Sequence, residues 1–228
     1  MRLEISGLVH RFAGQAGDAA PAIEIGSLEV EPGVLTVLTG PSGSGKSTLL
    51  YLMSGILRPS AGAIRWDGTD LASAGETARD RWRRAHAGFV FQDFHLIGGM
   101  SPIANVTVAA YFGGFSDRRV RGRAAQLLER FNVPAERRPA SSYSRGEQQR
   151  IAIARALIFD PQVILADEPT ASLDAANGDE IAALFASLAA EGRTVITVSH
   201  DAALIDRAGK TVALEHGRLS GEARSKAA

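Results

Sequence analysis

The 228 residues carry 25 Lys and Arg against 25 Asp and Glu, so the chain has no formal net charge, and they include no cysteine. Balanced charge argues against a general nucleic-acid binder, which carries a basic field, and the lack of cysteine excludes disulfides, thiolate metal sites and thiol nucleophiles. With 45% hydrophobic and 22% charged residues, the composition is that of a folded chain long enough to bury a sizeable core.

In chain order, the opening Met1-Arg2-Leu3-Glu4 lacks the apolar stretch of a secretory signal. Leu3–Ser6, Ala22–Ile25 and Val34–Thr39 read as short strands, from their alternation, β-branched residues and flanking Gly, Pro and Asp. The Gly- and Ala-rich insert 13–21 between the first two reads as a loop. Thr48–Leu57 reads as a helix ending before Pro59, and Ala63–Trp66 and Gly88–Phe91 as strands. Arg79, Arg81, Arg83 and Arg84, interrupted by Asp80 and Trp82, read as a solvated helix face. No charged residue falls between Phe94 and Ser116, a span long enough to cross a membrane. Its His95, Pro102, Asn105 and four glycines make it loop and helix of a water-facing domain instead. Arg118–Phe131 places Ala124, Leu127, Leu128 and Phe131 at helical spacing, and Glu147–Phe159 does the same with Ile151, Ala154, Leu157 and Ile158.

Beyond Pro161, strands and helices alternate: Val163–Ala166, Glu180–Ala190, Thr194–Val198, Ala202–Arg207 and Thr211–Leu214. The continuous apolar run Val163–Ala166 is that of a strand buried on both faces of a parallel sheet. This alternation predicts an α/β core, interrupted by mostly helical sequence from about 93 to 159. The end, 221–228, reads as a frayed tail.

Gly40-Pro41-Ser42-Gly43-Ser44-Gly45-Lys46-Ser47 matches the phosphate-loop pattern in full, followed by Thr48, with a predicted strand before it and a helix after. Glycines allow backbone amides to curl around phosphates, and the helix N-terminus adds partial positive charge. Lys46 is placed for the β- and γ-phosphates and Ser47 for Mg2+. The loop alone does not choose among kinase, GTPase and ATPase. The strand Val163–Ala166 leads into Asp167 and Glu168. Asp167 suits an Mg2+-organising carboxylate, and Glu168 suits a base that polarises an attacking water.

Four further pieces complete a pattern: Tyr143-Ser144-Arg145-Gly146-Glu147-Gln148-Gln149-Arg150, the run Asp167–Asp174, Gln92 after one strand and His200 after another. In this order and spacing the chain resembles the ABC ATPase family over nearly its whole length. The resemblance implies a P-loop NTPase fold, with a RecA-like core at about 1–92 and 160–220, an antiparallel β portion and a helical subdomain at about 93–159. It implies ATP and Mg2+ as cofactors and a homodimer closing on ATP. Ser144, Arg145, Gly146 and Glu147 would be the signature segment facing the γ-phosphate of the opposite subunit. Gln92 would sense Mg2+ and γ-phosphate, His200 would be the switch histidine, and Asp174 would stand at the dimer interface. Phe12 occupies the place of the aromatic that stacks on adenine; otherwise it is an ordinary core aromatic. The family usually reads Leu-Ser-Gly-Gly-Gln at the signature, so Arg145 and Glu147 bring charge to a neutral motif and imply retained but slower hydrolysis.

The wording of Gly40–Leu50, Gly88–Gln92 and Leu165–Thr170 resembles the lipoprotein-release and macrolide-export branch. That implies an integral membrane permease as partner, bound near Phe94–Val106, and a cytoplasmic subunit peripheral to the inner face of the membrane. Phe94, Leu96, Ile97, Met100 and Ile103 there serve either as a docking patch or as packing within the helical segment. A regulatory ATPase of a membrane-anchored envelope or division complex and a soluble non-transport ATPase are the alternatives.

Overall fold

Two sheets meet over the helix that follows the glycine-rich loop. The computed structural model describes residues 1–12, 20–112, 118–134, 138–220 and 224–225. The larger sheet holds β3 (Leu35–Thr39), β6 (Ala87–Val90), β7 (Val163–Asp167), β8 (Thr194–Val198), β9 (Lys210–Glu215) and β10 (Arg218–Leu219), in the order β10-β9-β3-β8-β7-β6. From β9 to β6 every pairing is parallel. β7 and β8 are buried along their whole length, as the apolar run Val163–Ala166 and the apolar and Thr sequence of β8 require, and Asp167 at the end of β7 is buried with them. Ile164 and Ala166 of β7 join one core cluster and Val163 and Leu165 the other, the two-residue period of a strand covered on both faces.

The smaller, antiparallel sheet runs β2 (Ile23–Val30), β1 (Leu3–His10), β4 (Ala61–Trp66), β5 (Thr69–Asp70). Its inward residues Leu3, Ile5, Leu8, Ile23, Ile25 and Ile64 share a core with Leu49, Leu50, Leu52 and Met53 of α1 (Lys46–Met53). β1 runs past the expected Ser6 because a bulge between Ser6 and Val9 resets its register against β4. Gly7 has φ 56° and Gly62 opposite has φ 88°. β5 closes a two-residue hairpin through Asp67 and Gly68, both with positive φ (45° and 81°), the geometry Asp-Gly favours.

On the other face, α3 (Pro102–Phe112), α4 (Arg118–Arg130) and α5 (Arg145–Ala156) pack on one another. Val106, Ala124, Leu127, Leu128, Phe131 and Ile151 fill the space between them. α6 (Ala175–Ala190) and α7 (Ala202–Arg207) cover the sheet beside them. α1 starts at Lys46 rather than Thr48, α5 at Arg145 rather than Glu147 and α6 at Ala175 rather than Glu180. Ser144 and Asp174 cap α5 and α6, and a cap sets a helix start better than apolar spacing does.

The reading of Arg79–Arg84 as a solvated face fails on one side of α2 (Glu76–His86). Arg79 and Trp82 are both only 6% exposed. Trp82 lies 5.5 Å from the Trp66 ring, the Arg79 guanidinium pairs with Glu76, and its stem covers Gly55. The expected frayed tail does not hold at β11 (Arg224–Ser225), which pairs with β9. The rest of that tail, 221–223 and 226–228, and residues 13–19 of the insert lie outside the described residues.

A Cβ on Gly62 would stand 2.2 Å from the Gly7 carbonyl oxygen, whereas one on Gly68 would meet nothing within 4 Å. Gly68→Ala should therefore lose only the left-handed preference, about 1 kcal/mol. Gly62→Ala must also displace backbone and should lose about 3 kcal/mol. Urea unfolding of the two variants checks the ordering.

Candidate functional site: a phosphate-loop cleft

β3 delivers the chain into a loop that only glycine can form. Gly40, Gly43 and Gly45 have φ of 140°, 76° and 100°. A Cβ on Gly40 would fall 2.1 Å from the Leu214 carbonyl oxygen, and one on Gly45 2.6 Å from Ile23 Cδ1. Gly45 caps α1 without any side-chain acceptor, so the first-turn amides stay available to an anion. The Lys46 ammonium donates to the carbonyl oxygens of Gly40 and Pro41, each at 2.9 Å, and so lies across the loop. Ser44 points inward instead, 4% exposed.

Ser47 and Asp167, the expected cation-organising groups, meet at the end of β7, two strands along the sheet from β3. Ser47 Oγ donates to Asp167 Oδ1 at 2.9 Å, and Tyr51 Oη donates to Asp167 Oδ2 at 3.0 Å. Burial, together with the hydrogen bond and negative charge of Asp167, pushes the Tyr51 phenol up to about 12. One carboxylate and one hydroxyl form a hard-oxygen pair of the kind that holds Mg2+ shared with substrate phosphates, so the residues present fit that ion.

Glu168, the next residue, has φ 46°, a conformation that is strained for any residue with a β-carbon. Its N–H donates to the Val198 carbonyl oxygen at 2.9 Å, which fixes the turn against β8. Its carboxylate lies 3.2–3.3 Å from Nδ1 of His200. The Glu168 side chain is 17% exposed and that of His200 79%. Gln92 follows β6 and faces the same space: Ser42, Gly43, Gly45, Lys46, Ser47, Thr48, Gln92, Glu168 and Val198 line a cleft of about 320 Å3. Phe12 is 47% exposed and meets His10 edge to face at 4.9 Å, so it is not a core aromatic. It is not among the residues lining this cleft.

Ser144, Arg145, Gly146, Glu147 and Asp174 do not line the cleft either. Ser144 caps α5 in a reciprocal box. The Glu147 N–H donates to Ser144 Oγ at 3.3 Å, and both the N–H and the hydroxyl of Ser144 donate to Glu147 Oε2 at 2.8 Å. Partial burial alone would push the Glu147 carboxyl up. The two hydrogen bonds from Ser144 and the charges of Arg138 and Arg150 outweigh it and hold the carboxyl below the usual range. The Arg145 guanidinium lies over the Phe94 ring, 4.8 Å from its centroid. A Cβ on Gly146 would overlap Asn177 Oδ1 at 2.0 Å. Asn177 is bound through its N–H and amide to Asp174, whose carboxyl those two bonds hold low.

The five apolar residues named above in segment 94–106 differ in exposure. Phe94 is 6% exposed, and Leu96 and Ile103 pack against the core, while Ile97 (44%) and Met100 (40%) stand in solvent. A groove of about 270 Å3 is lined by residues including Phe94, His95, Leu96, Ser141, Arg145 and Gln148, and Ile97 and Met100 are not among them.

Tyr51 and Asn177 are absent from the sequence reading, and Gln149 figures there only within the run Tyr143–Arg150, with no role of its own. Tyr51 was legible: it lies four residues after Ser47, hence on the same helix face. The capping role of Glu147 was legible too, from Ser-x-x-Glu before an apolar run. Gln149 Nε2, wholly buried, donates to the Pro169 carbonyl oxygen at 2.7 Å and ties α5 to the loop after Glu168. Neither it nor Asn177 leaves a mark in local sequence.

The profile of the family described as ABC transporter matches residues 24–171. An ABC transporter ATP-binding protein of Mycobacterium tuberculosis is 41% identical over 220 residues, 96% of this chain and 66% of its own length. A macrolide export ATP-binding/permease protein, MacB, of Paracoccus denitrificans is 42% identical over 202 residues, 88% of this chain and 30% of its own. The chain thus spans just under two thirds of one relative and less than a third of the other. Among solved structures, the dimeric ATP-binding cassette MJ0796 in a post-hydrolysis state bound to ADP and Pi superposes with a TM-score of 0.85. It has 29% identity, and 98% of each chain is covered.

Glu147→Gln should keep the capping geometry and lose the charge at the α5 N-terminus, lowering stability near neutral pH by about 0.5 kcal/mol for so exposed a pair. Because the folded carboxyl is held low, this contribution is present above the ordinary glutamate range and is lost as pH falls through the depressed value. Urea midpoints of parent and variant should therefore differ at pH 7 and converge in acid.

Proposed function

The chain belongs to the ABC transporter family, and on that premise we propose that it binds and hydrolyses ATP to power a transporter through a separate membrane subunit, of the macrolide-export kind. One observation carries the reading: the phosphate loop with Lys46, the Ser47–Asp167 pair, and Glu168 with His200 stand together at the ends of adjacent parallel strands.

The amides of the loop and α1 bind the phosphates, and Lys46 exchanges its two carbonyl partners for phosphate oxygens. Ser47 and Asp167 would hold Mg2+, which would supply positive charge to the bound phosphates. Gln92 reaches into the same cleft. Glu168, largely shielded, takes a proton from the attacking water as the bond from the γ-phosphorus to the bridging oxygen breaks and ADP leaves. His200 orients the Glu168 carboxylate, and its exposed ring is free to meet the terminal phosphate. Phe12, solvent-facing, is assigned to adenine.

Ser144 and Gly146 lie off the chain's own cleft and so are assigned to the nucleotide of a second copy, in a head-to-tail homodimer that closes on ATP. That MJ0796 is dimeric supports this arrangement. The helices within 93–159 are assigned to one subdomain, whose exposed Ile97 and Met100 meet an integral membrane permease. Among the described residues no helix is long and apolar enough to cross a membrane, and a cytoplasmic position on the inner face of the membrane is part of the proposal.

Glu168→Gln should bind ATP, run as a dimer on gel filtration with ATP, and turn over at least about 100-fold more slowly; undiminished turnover would remove Glu168 as the base. Met100→Glu should bind ATP as the parent does and no longer co-purify with a membrane subunit after mild detergent extraction. Unchanged co-purification would move the permease contact elsewhere.

A further inference from the structure

We infer that Tyr51 is a positioning residue for the divalent-cation site, its hydroxyl holding the Asp167 carboxylate in one orientation. The inference rests on the proposal that the cleft takes a nucleotide with Mg2+. Asp167 is 7% exposed, so bulk water does not set the angle of its carboxylate. Its two oxygens are held separately, Oδ1 by Ser47 and Oδ2 by Tyr51, and the two donors come from the same face of α1, one turn apart. Two donors on two oxygens fix both the position and the plane of a carboxylate; one donor would leave it free to rotate. A carboxylate has about four lone-pair sites, so lone pairs remain to accept from water on a metal ion. Ser47 can keep its donated bond to Asp167 while a lone pair turns to the cation. Tyr51 adds its bond without adding positive charge, which a Lys or Arg at this place would do at the expense of the cation.

The phenol is itself held. Its ring lies 5.9 Å from Phe89, which stacks on Phe91 at 4.5 Å. Phe89 belongs to β6, where it pairs with Leu165 of β7, two residues before Asp167. The donor and the carboxylate thus stand on elements fixed to each other by the sheet, the condition under which an outer partner tunes a metal site.

The test compares Tyr51→Phe, which keeps the ring, with the parent, both in the Glu168→Gln background and loaded with ATP. Mn2+ is the probe, its free fraction read by electron paramagnetic resonance, and ATP binding in EDTA is measured alongside. The expected result is unchanged ATP binding in EDTA and a Mn2+ dissociation constant raised about 10-fold. An unchanged or lowered Mn2+ constant would overturn the inference. So would a parallel loss of metal-free ATP binding, which marks Tyr51 as a packing residue. A parent that binds no ATP under either condition would instead overturn the proposed function itself.

Discussion

The parallel pairing of β3, β8, β7 and β6 is the constraint from which the site follows. In register, Leu38 stands beside Val198, Val198 beside Asp167, and Ala166 beside Val90. The four strands therefore end on one line. The phosphate loop, His200, Glu168 and Gln92, dispersed through the sequence, emerge along it within a few residues of those ends. Strands packed on both faces cannot slip by one residue without turning every side chain to the wrong cluster, so burial of β7 and β8 also holds the chemistry in place. The strain in Glu168 has the same origin. The strand must stop and turn at once for Asp167 to face Ser47 while Glu168 faces His200, and the bond from its N–H to Val198 offsets the unfavourable φ.

A second set of contacts joins α5 to this line. Gln149 bonds the carbonyl of Pro169, one residue past Glu168, and Gly146 approaches Asn177, which is bound to Asp174. The N-terminus of α5 is thereby connected to the turn that carries Glu168 and to the cap of α6. On the proposed reading, a rigid rotation of the helices would move Ser144 and Asp174 together, because the glycine at 146 leaves no slack between them.

Legibility in the sequence followed the range of the interaction. The phosphate loop, the apolar run of β7 and its two acids, and β8 are local patterns with local causes, and each appears where it was expected. Helix starts were displaced where a cap, not the apolar stripe, decides them, as at Ser144 and Asp174. The Asp67-Gly68 hairpin was readable and passed over. What local sequence could not show are partnerships across the chain: the burial of Arg79 and Trp82, which depends on Gly55 and Trp66, and the bond from Gln149 to Pro169. Charge was the poorest guide. A run of arginines on one helix divides into a buried one, a half-buried one and two in solvent, according to which neighbours the fold supplies.

Segment 144–147, proposed above to face the nucleotide of a second copy, shows the same effect. Read as sequence, Arg145 and Glu147 put two charges into a neutral motif. In the fold both are already engaged. Arg145 lies over Phe94 beside the groove, and Glu147 takes the N–H and hydroxyl of Ser144. The carboxylate so occupies, within one chain, the helix N-terminus that an anion would otherwise take. If the Ser144 hydroxyl is to serve a phosphate of a second copy, it must turn from Glu147 to do so, and Glu147 remains nearby as a like charge. A hydroxyl bond to a charged acceptor contributes about 1.5–3 kcal/mol in general, though less where water competes as it does here. The exchange therefore lowers the gain on closing without abolishing it. On the proposed reading, that is a physical basis for the expected slower turnover, and it assigns the cause to the carboxylate at 147 rather than to the guanidinium at 145.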